Sequence, residues 1–219
     1  MQANRVLWVV VVRTLSPVLA LVAVVGCSAP SASAPGGTEA VGLLSQMRRA
    51  YAAAYAYEDR GVAFVPSNDG RRNAYRFSTR FFRSELLEFE VQTPERWLVV
   101  SDSARTIERQ PTGLEVAHPG PERALAAISG ISGLSSSVVP SLLSGRDFCD
   151  CLVPSNARAL ETVAEDGVVM RKLEVRKPNG ELVMFWVDPD GFVRKLLWSG
   201  PDGTQDEPVL IEYVLLSHR

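Results

Sequence analysis

The hydrophobic period of this chain changes near residue 61, and the change limits the folds open to it. From Thr38 to Tyr57, apolar residues recur every three or four positions, which predicts an amphipathic helix that ends at Gly61. Beyond it, apolar and polar residues alternate, as in strands with one buried face. The pattern therefore predicts one helix packed on antiparallel strands that tight turns connect.

The alternating part of the chain divides into two blocks of about five strands each. The first block runs from Val62 to Glu108 and contains the hairpin signal Asn68-Asp69-Gly70. Pro119 to Gly145 then forms an apolar insert with the spacing of short helices. The second block resumes near Arg158 and ends with a strand from Val209 to Leu216. This order predicts a mainly β fold with helices, of the α+β class.

The N-terminus resembles a bacterial lipoprotein signal peptide. Arg5 and Arg13 form a basic start, and an apolar run from Leu15 to Val25 follows. The string Val24-Val25-Gly26-Cys27 resembles a lipobox, in which Cys27 would carry the lipid. An apolar run of about eleven residues is too short to span a bilayer, which needs roughly twenty.

This resemblance implies three segments. Residues 1–26 would be the cleaved signal peptide, residues 27–37 the lipidated Cys27 and a flexible small-residue tether, and residues 38–219 the folded domain. The alternative is an uncleaved anchor that also uses Val6 to Val12. Since Ser28 follows the cysteine, where Asp resembles an inner-membrane retention signal, we expect an outer-membrane anchor that faces the periplasm.

The composition favours a protein without catalytic residues. The formal net charge is −2 and no basic run stands out, which argues against nucleic acid as a partner. His118 and His218 are interpreted as surface loop and tail residues, and Ser135-Ser136-Ser137 lacks the surroundings of a nucleophile. We therefore expect neither an enzyme nor a protein that needs a cofactor or a metal.

Cys149-Asp150-Cys151 is the most unusual string after the lipobox. An oxidising periplasm favours a disulfide between Cys149 and Cys151, although so short a loop would be strained. Two free thiols and half of a metal site are the alternatives. Two thiolates alone do not complete a tetrahedral zinc site.

Two local strings in the alternating blocks carry a resemblance to a known family. They are Phe82-Arg83-Ser84-Glu85 and the hairpin Phe185-Trp186-Val187-Asp188-Pro189, which Phe192-Val193-Arg194-Lys195 follows. Together with the element order over residues 38–218, they resemble the LolA/LolB-like superfamily of periplasmic lipoprotein-carrier and lipid-binding proteins. The resemblance implies an unclosed, curved antiparallel half-barrel, covered by the N-terminal helix and the central insert.

The same resemblance implies an apolar cavity for an acyl chain, in a membrane-anchored lipoprotein that binds a lipid, an acyl chain or another lipoprotein. The implied role is transport across or within the cell envelope. The alternative from the residues themselves is a filled core in a non-catalytic scaffold that holds an envelope protein. Both interpretations use apolar residues at a period of two. The candidate cavity residues are Tyr75, Phe77, Leu87, Phe89, Trp97, Met184, Trp186 and Trp198.

Overall fold

The computed structural model describes residues 36–146, 153–200 and 208–219. Its helices are α1 (Gly36–Ala53), α2 (Pro121–Ala127) and α3 (Val139–Leu143). Its strands are β1 (Ala56–Pro66), β2 (Arg72–Phe82), β3 (Leu86–Gln92), β4 (Arg96–Asp102), β5 (Thr106–Arg109), β6 (Glu115–His118), β7 (Ala157–Glu165), β8 (Val168–Arg176), β9 (Leu182–Val187), β10 (Val193–Ser199) and β11 (Val209–His218).

The strands form one antiparallel sheet in the order β6-β5-β4-β3-β2-β1-β11-β10-β9-β8-β7. Each block is a meander, and β1 joins the two by pairing with β11. The sheet is unclosed because β6 and β7 lie at its two ends. The predicted fold class, a mainly β fold with an unclosed antiparallel sheet and helices, is confirmed. Helix α1 and the central insert lie on one face of the sheet.

The sheet has one face covered by the helices and one open face. Successive side chains of a strand point to these two faces in turn. On the covered face, Phe89, Val99, Phe185 and Ile211 are fully buried and form one apolar core with residues of all three helices. On the open face of β3, Glu88 and Glu90 alternate with the buried residues, and arginines of β2 and β4 pair with them. The core therefore lies between the sheet and the helices.

Helix α1 forms because its apolar residues repeat along one stripe. Leu43, Leu44, Met47 and Tyr51 are buried in the core. Glu39 lies in the first turn, where a negative charge favours the helix, but the last turn carries no basic residue of its own.

Three sequence predictions need correction. The helix ends at Ala53 and not near Gly61, which lies inside β1. The first block has a sixth strand, β6, that the sequence pattern missed. His118 lies in this strand and is not a loop residue, and His218 is the last residue of β11.

The central insert is helical, as predicted. It contains α2, α3 and a one-turn 3₁₀ helix, Ser135–Ser137, between them. Within the described residues, no helix combines the length and the apolar character that a membrane crossing requires.

Candidate functional site

The candidate cavity residues lie on both faces of the sheet. Six of the eight belong to the covered face: Tyr75, Phe77, Leu87, Phe89, Trp97 and Trp198. The other two, Met184 and Trp186, alternate with the buried residues of β9 and lie on the open face.

The covered face is filled at its centre. The Phe77 and Phe89 rings are stacked with centroids 6.0 Å apart, and the Tyr213 ring meets Phe77 edge-on at 5.3 Å. A Cβ atom placed on Gly61 would lie 2.3 Å from the Phe77 ring, so glycine is required for this packing. Aromatic rings thus occupy the space above β1, β2 and β3.

The remaining covered-face candidates lie towards the margins of the core. Tyr75 lines a recess of about 630 Å³ beside the turn that joins β3 to β4. Trp198 donates its Nε1 hydrogen to Glu181 over 3.1 Å, and the Lys177 ammonium lies 4.3 Å from the centre of its ring. Tyr75, Trp97 and Trp198 are partly buried against the core.

On the open face, Trp186 lies between two ammonium groups. The Lys172 and Lys195 nitrogens are 5.6 and 6.0 Å from the centre of its ring. Lys172 also pairs with Glu161, and Lys195 pairs with Glu165. Trp186 therefore belongs to a partly exposed, charged surface.

A smaller recess opens on the covered side, where the β2–β3 turn meets the insert. Its volume is about 180 Å³. Phe81 and Leu87 of the covered face line it, together with Pro121 at the start of α2 and Ser144 after α3. At this point a recess reaches the apolar layer beneath the insert.

Arg83 ties the end of α1 to the sheet. Its Nε donates to the carbonyl of Ala54 over 3.1 Å, and its Nη2 donates to the carbonyl of Tyr51 over 2.9 Å. The guanidinium thus supplies the positive charge that the last turn of α1 lacks. The residue that carried part of the sequence resemblance has this structural role.

The hairpin between β9 and β10 holds the middle of α1. Asp188 is buried and accepts hydrogen bonds from the backbone of Asp190 and Phe192, while Arg194 donates to its other oxygen over 2.7 Å. Gly191 has φ of 97°, and a Cβ there would meet Ala50 of α1 at 3.0 Å. The turn can therefore lie directly on the helix.

Polar contacts complete the attachment of α1. Gln46 donates to the carbonyl of Pro189 and accepts from Arg171 of β8. The Tyr51 hydroxyl accepts from the Val193 backbone over 3.1 Å, and its ring packs edge-on against Phe192 at 5.2 Å.

A buried carboxyl group lies beneath α1 and was not found from the sequence. Asp59 accepts from the Tyr57 hydroxyl over 2.7 Å and from the Thr79 backbone over 3.1 Å. Burial raises its pKa from 3.8 to about 6, although these hydrogen bonds act in the opposite direction. The Tyr213 hydroxyl, also buried, has no hydrogen-bond partner among the residues that the structure describes. The available signal was the period of two, which puts Asp59 on the same face of β1 as the apolar Tyr57 and Ala63.

His118, which is half-buried, pairs with the buried Glu108. Its Nε2 lies 2.9 Å from a Glu108 oxygen, and Gln110 donates to the other oxygen over 3.1 Å. No group of three or more His, Cys, Asp and Glu residues suited to a metal occurs among the described residues. The pair is thus a local contact across β5 and β6.

The lipidation and cysteine predictions lie outside the described residues. Cys27 precedes residue 36, and Cys149 and Cys151 fall between residues 146 and 153. They stay predictions.

Comparison with known proteins finds similar structures. The chain resembles MucB. The match has a TM-score of 0.48 at 14% identity and covers 83% of this chain, but this chain spans only 58% of MucB. MucB from Pseudomonas aeruginosa has also been solved in a complex with MucA, and that match has a TM-score of 0.45 at 14% identity, covering 83% of this chain and 56% of MucB.

A LolA superfamily protein from Nitrosomonas europaea is also similar, with a TM-score of 0.37 at 10% identity, covering 80% of this chain and 91% of that protein. A LolA superfamily protein is thus among the solved structures that this chain resembles, as its sequence patterns predicted. No protein-family model matches the chain. No curated protein matches it either.

Proposed function

We propose that this chain is a non-catalytic lipoprotein of the bacterial envelope that takes up a lipid or acyl chain between its sheet and its helical insert. The recess between the β2–β3 turn and the insert carries the proposal. Its floor, Phe81 and Leu87, belongs to the apolar covered face, so an acyl chain entering there would meet apolar side chains. Burial at about 25 cal/mol per Å² would supply the affinity.

The insert is the part of the domain that would move to admit the ligand. The recess of about 180 Å³ is smaller than the roughly 300–1,000 Å³ of ordinary ligand sites. Beneath the insert, α2 and α3 contribute apolar side chains to the layer, including Leu125, Leu142 and Leu143. Outward movement of α2 and α3 would extend the recess along this layer without breaking strand pairs.

A fluorescent fatty acid tests the proposal. The purified protein should bind it saturably, and Ser144→Trp, which places an indole in the recess, should weaken binding at least tenfold. Ser155→Trp is the matched control because Ser155 is exposed outside the recess. Equal binding by both variants would place the ligand elsewhere, and absence of saturable binding by folded wild-type protein would reject the proposal.

Anchoring through Cys27 is the second part of the proposal. It is supported by the lipobox-like string and by the short apolar run before it. A lipid on Cys27 would leave eight residues between the anchor and α1. At roughly 3.3–3.6 Å per residue, the domain would stay within about 30 Å of the membrane.

A scaffold function is the second candidate, and a specific observation favours it. Phe77, Leu87 and Phe89 are nearly or fully buried against other side chains, as in a filled core. A scaffold would hold an envelope protein by its surface and would not bind the fatty acid. Failure of saturable binding together with recovery of a defined envelope protein after cross-linking in cells would support this candidate.

A further inference from the structure

Asp59 is an unusual residue for the centre of a sheet. It lies on the covered face of β1, is fully buried, and pairs in register with Thr79 of β2 and Leu215 of β11. A carboxylate has about four acceptor positions, and Asp59 uses two of them, for Tyr57 and for the Thr79 backbone. Its charged form is therefore poorly solvated where it lies.

The groups that face Asp59 in the described residues carry no positive charge. They are Tyr57 on β1, Thr79 on β2, Tyr213 on β11 and Tyr51 on α1. Burial raises the pKa of all three tyrosines, so they stay neutral at physiological pH. The charged groups on the packed elements include Arg83, Asp188 and Arg194. The His218 imidazole of β11 is a further ionisable group at this cluster: it pairs in register with Tyr57, and its ring centroid lies 4.6 Å from that of Phe192.

Tyr51 connects this carboxyl group to helix α1. Its ring centroid lies 5.7 Å from that of Tyr57, whose hydroxyl binds Asp59. On its other side, the Tyr51 hydroxyl binds the Val193 backbone. Tyr51 thus covers the Asp59 cluster, and lifting the C-terminal half of α1 would admit water to it.

We propose that α1 docks reversibly on the sheet and that ionisation of Asp59 favours its release. The proton stabilises the docked state, because a neutral carboxyl group loses less solvation on burial than a carboxylate. Docking should therefore weaken as the pH rises from about 4, near the ordinary pKa of the group, to about 6, the pKa of the buried group. The inference holds whether or not the domain binds a lipid.

Hydrogen exchange of the α1 amides, corrected for intrinsic rates, measures docking directly. Between pH 4 and pH 7, protection of α1 should fall by up to about fiftyfold, because docking raises the pKa of Asp59 from 3.8 to about 6 and most of that difference acts in this range. Peptides of β3 should change less, which separates release of α1 from global unfolding. Constant α1 protection across this range would overturn the proposal.

Asp59→Asn should keep α1 protected at both pH values, because the amide does not ionise. Asp69→Asn is the matched control: Asp69 is an exposed carboxylate in the β1–β2 turn, and its loss should leave the pH dependence unchanged. If α1 protection still depends on pH in the Asp59→Asn variant, another group causes the dependence and the proposal is overturned.

Tyr57→Phe provides a test that does not depend on the folding of the asparagine variant. It keeps the ring but removes the hydroxyl that lowers the pKa of Asp59. The midpoint of α1 release should therefore move to higher pH. A midpoint that stays in place, or moves to lower pH, would contradict the assignment to Asp59.

Discussion

Replacing Phe89 and Trp186 separately by alanine tests the assignment of the two faces. The Phe89 side chain is fully buried and stacked on Phe77. Truncating such a ring to alanine costs about 3–5 kcal/mol, because the transfer free energy is lost and a cavity remains. Phe89→Ala should therefore lower the free energy of unfolding by about that amount.

Trp186→Ala should cost much less, although tryptophan is the larger residue. The indole is partly exposed and its contacts include two lysine ammonium groups, each worth about 0.5–1 kcal/mol at such a site. With some lost packing, the expected cost is about 1–2 kcal/mol.

Urea unfolding followed by far-UV circular dichroism measures both values. With a slope of about 1–3 kcal/mol per molar urea, Phe89→Ala should shift the midpoint by about 1 M or more. The reasoning fails if Trp186→Ala is as destabilising as Phe89→Ala, since the indole would then lie in the core.

Further measurements address the other sites. Arg83→Ala should cost about 1–3 kcal/mol, because the carbonyls at the end of α1 lose a charged donor, and urea unfolding would detect it. For Asp59, the folded-state pKa of about 6 exceeds the ordinary 3.8, so the native state binds the proton more tightly and stability falls as pH rises from about 4 to 6. Asp59→Asn should remove this loss, about 3 kcal/mol, in urea titrations at pH 4 and pH 7. Cys27→Ala should abolish fatty-acid labelling and membrane fractionation. Cys149 and Cys151 should resist alkylation without reductant, as intact mass would show.

Sequence periodicity was sufficient to predict most strands of the sheet, because the residues of its covered face are mostly apolar. Phe77, Phe89 and Phe185 alternate with polar or half-exposed neighbours in strands between recognisable turns. Even so, alternation alone does not show which face of β9 is covered. Both sets of residues in β9 are apolar, so Met184 and Trp186 could not be separated from Val183 and Phe185 without the register of the neighbouring strands.

Long-range contacts explain the remaining errors. The apolar spacing of α1 continues through Tyr55, and the helix ends because Arg83, 29 residues beyond Ala54, binds its terminal carbonyls. Strand β6 has only four residues and is defined by pairing with β5, too short for a periodic signal. Asp59 was not identified from the sequence, because nothing in the local sequence shows that Tyr51, eight residues earlier, covers it.

The two strings that carried the family resemblance both act on helix α1. Arg83 binds its C-terminal carbonyls, and the turn that begins at Asp188 lies against Gln46 and Ala50. In this chain the two strings therefore hold a helix on an unclosed sheet, a role that does not by itself specify a ligand. The first string also borders the recess of the proposed function, because Phe82, Ser84 and Glu85 line it opposite Pro121 and Ser144 of the insert. If the proposal holds, substitutions in this string should therefore affect both the attachment of α1 and ligand binding, whereas substitutions in the β9–β10 turn should affect only the attachment of α1.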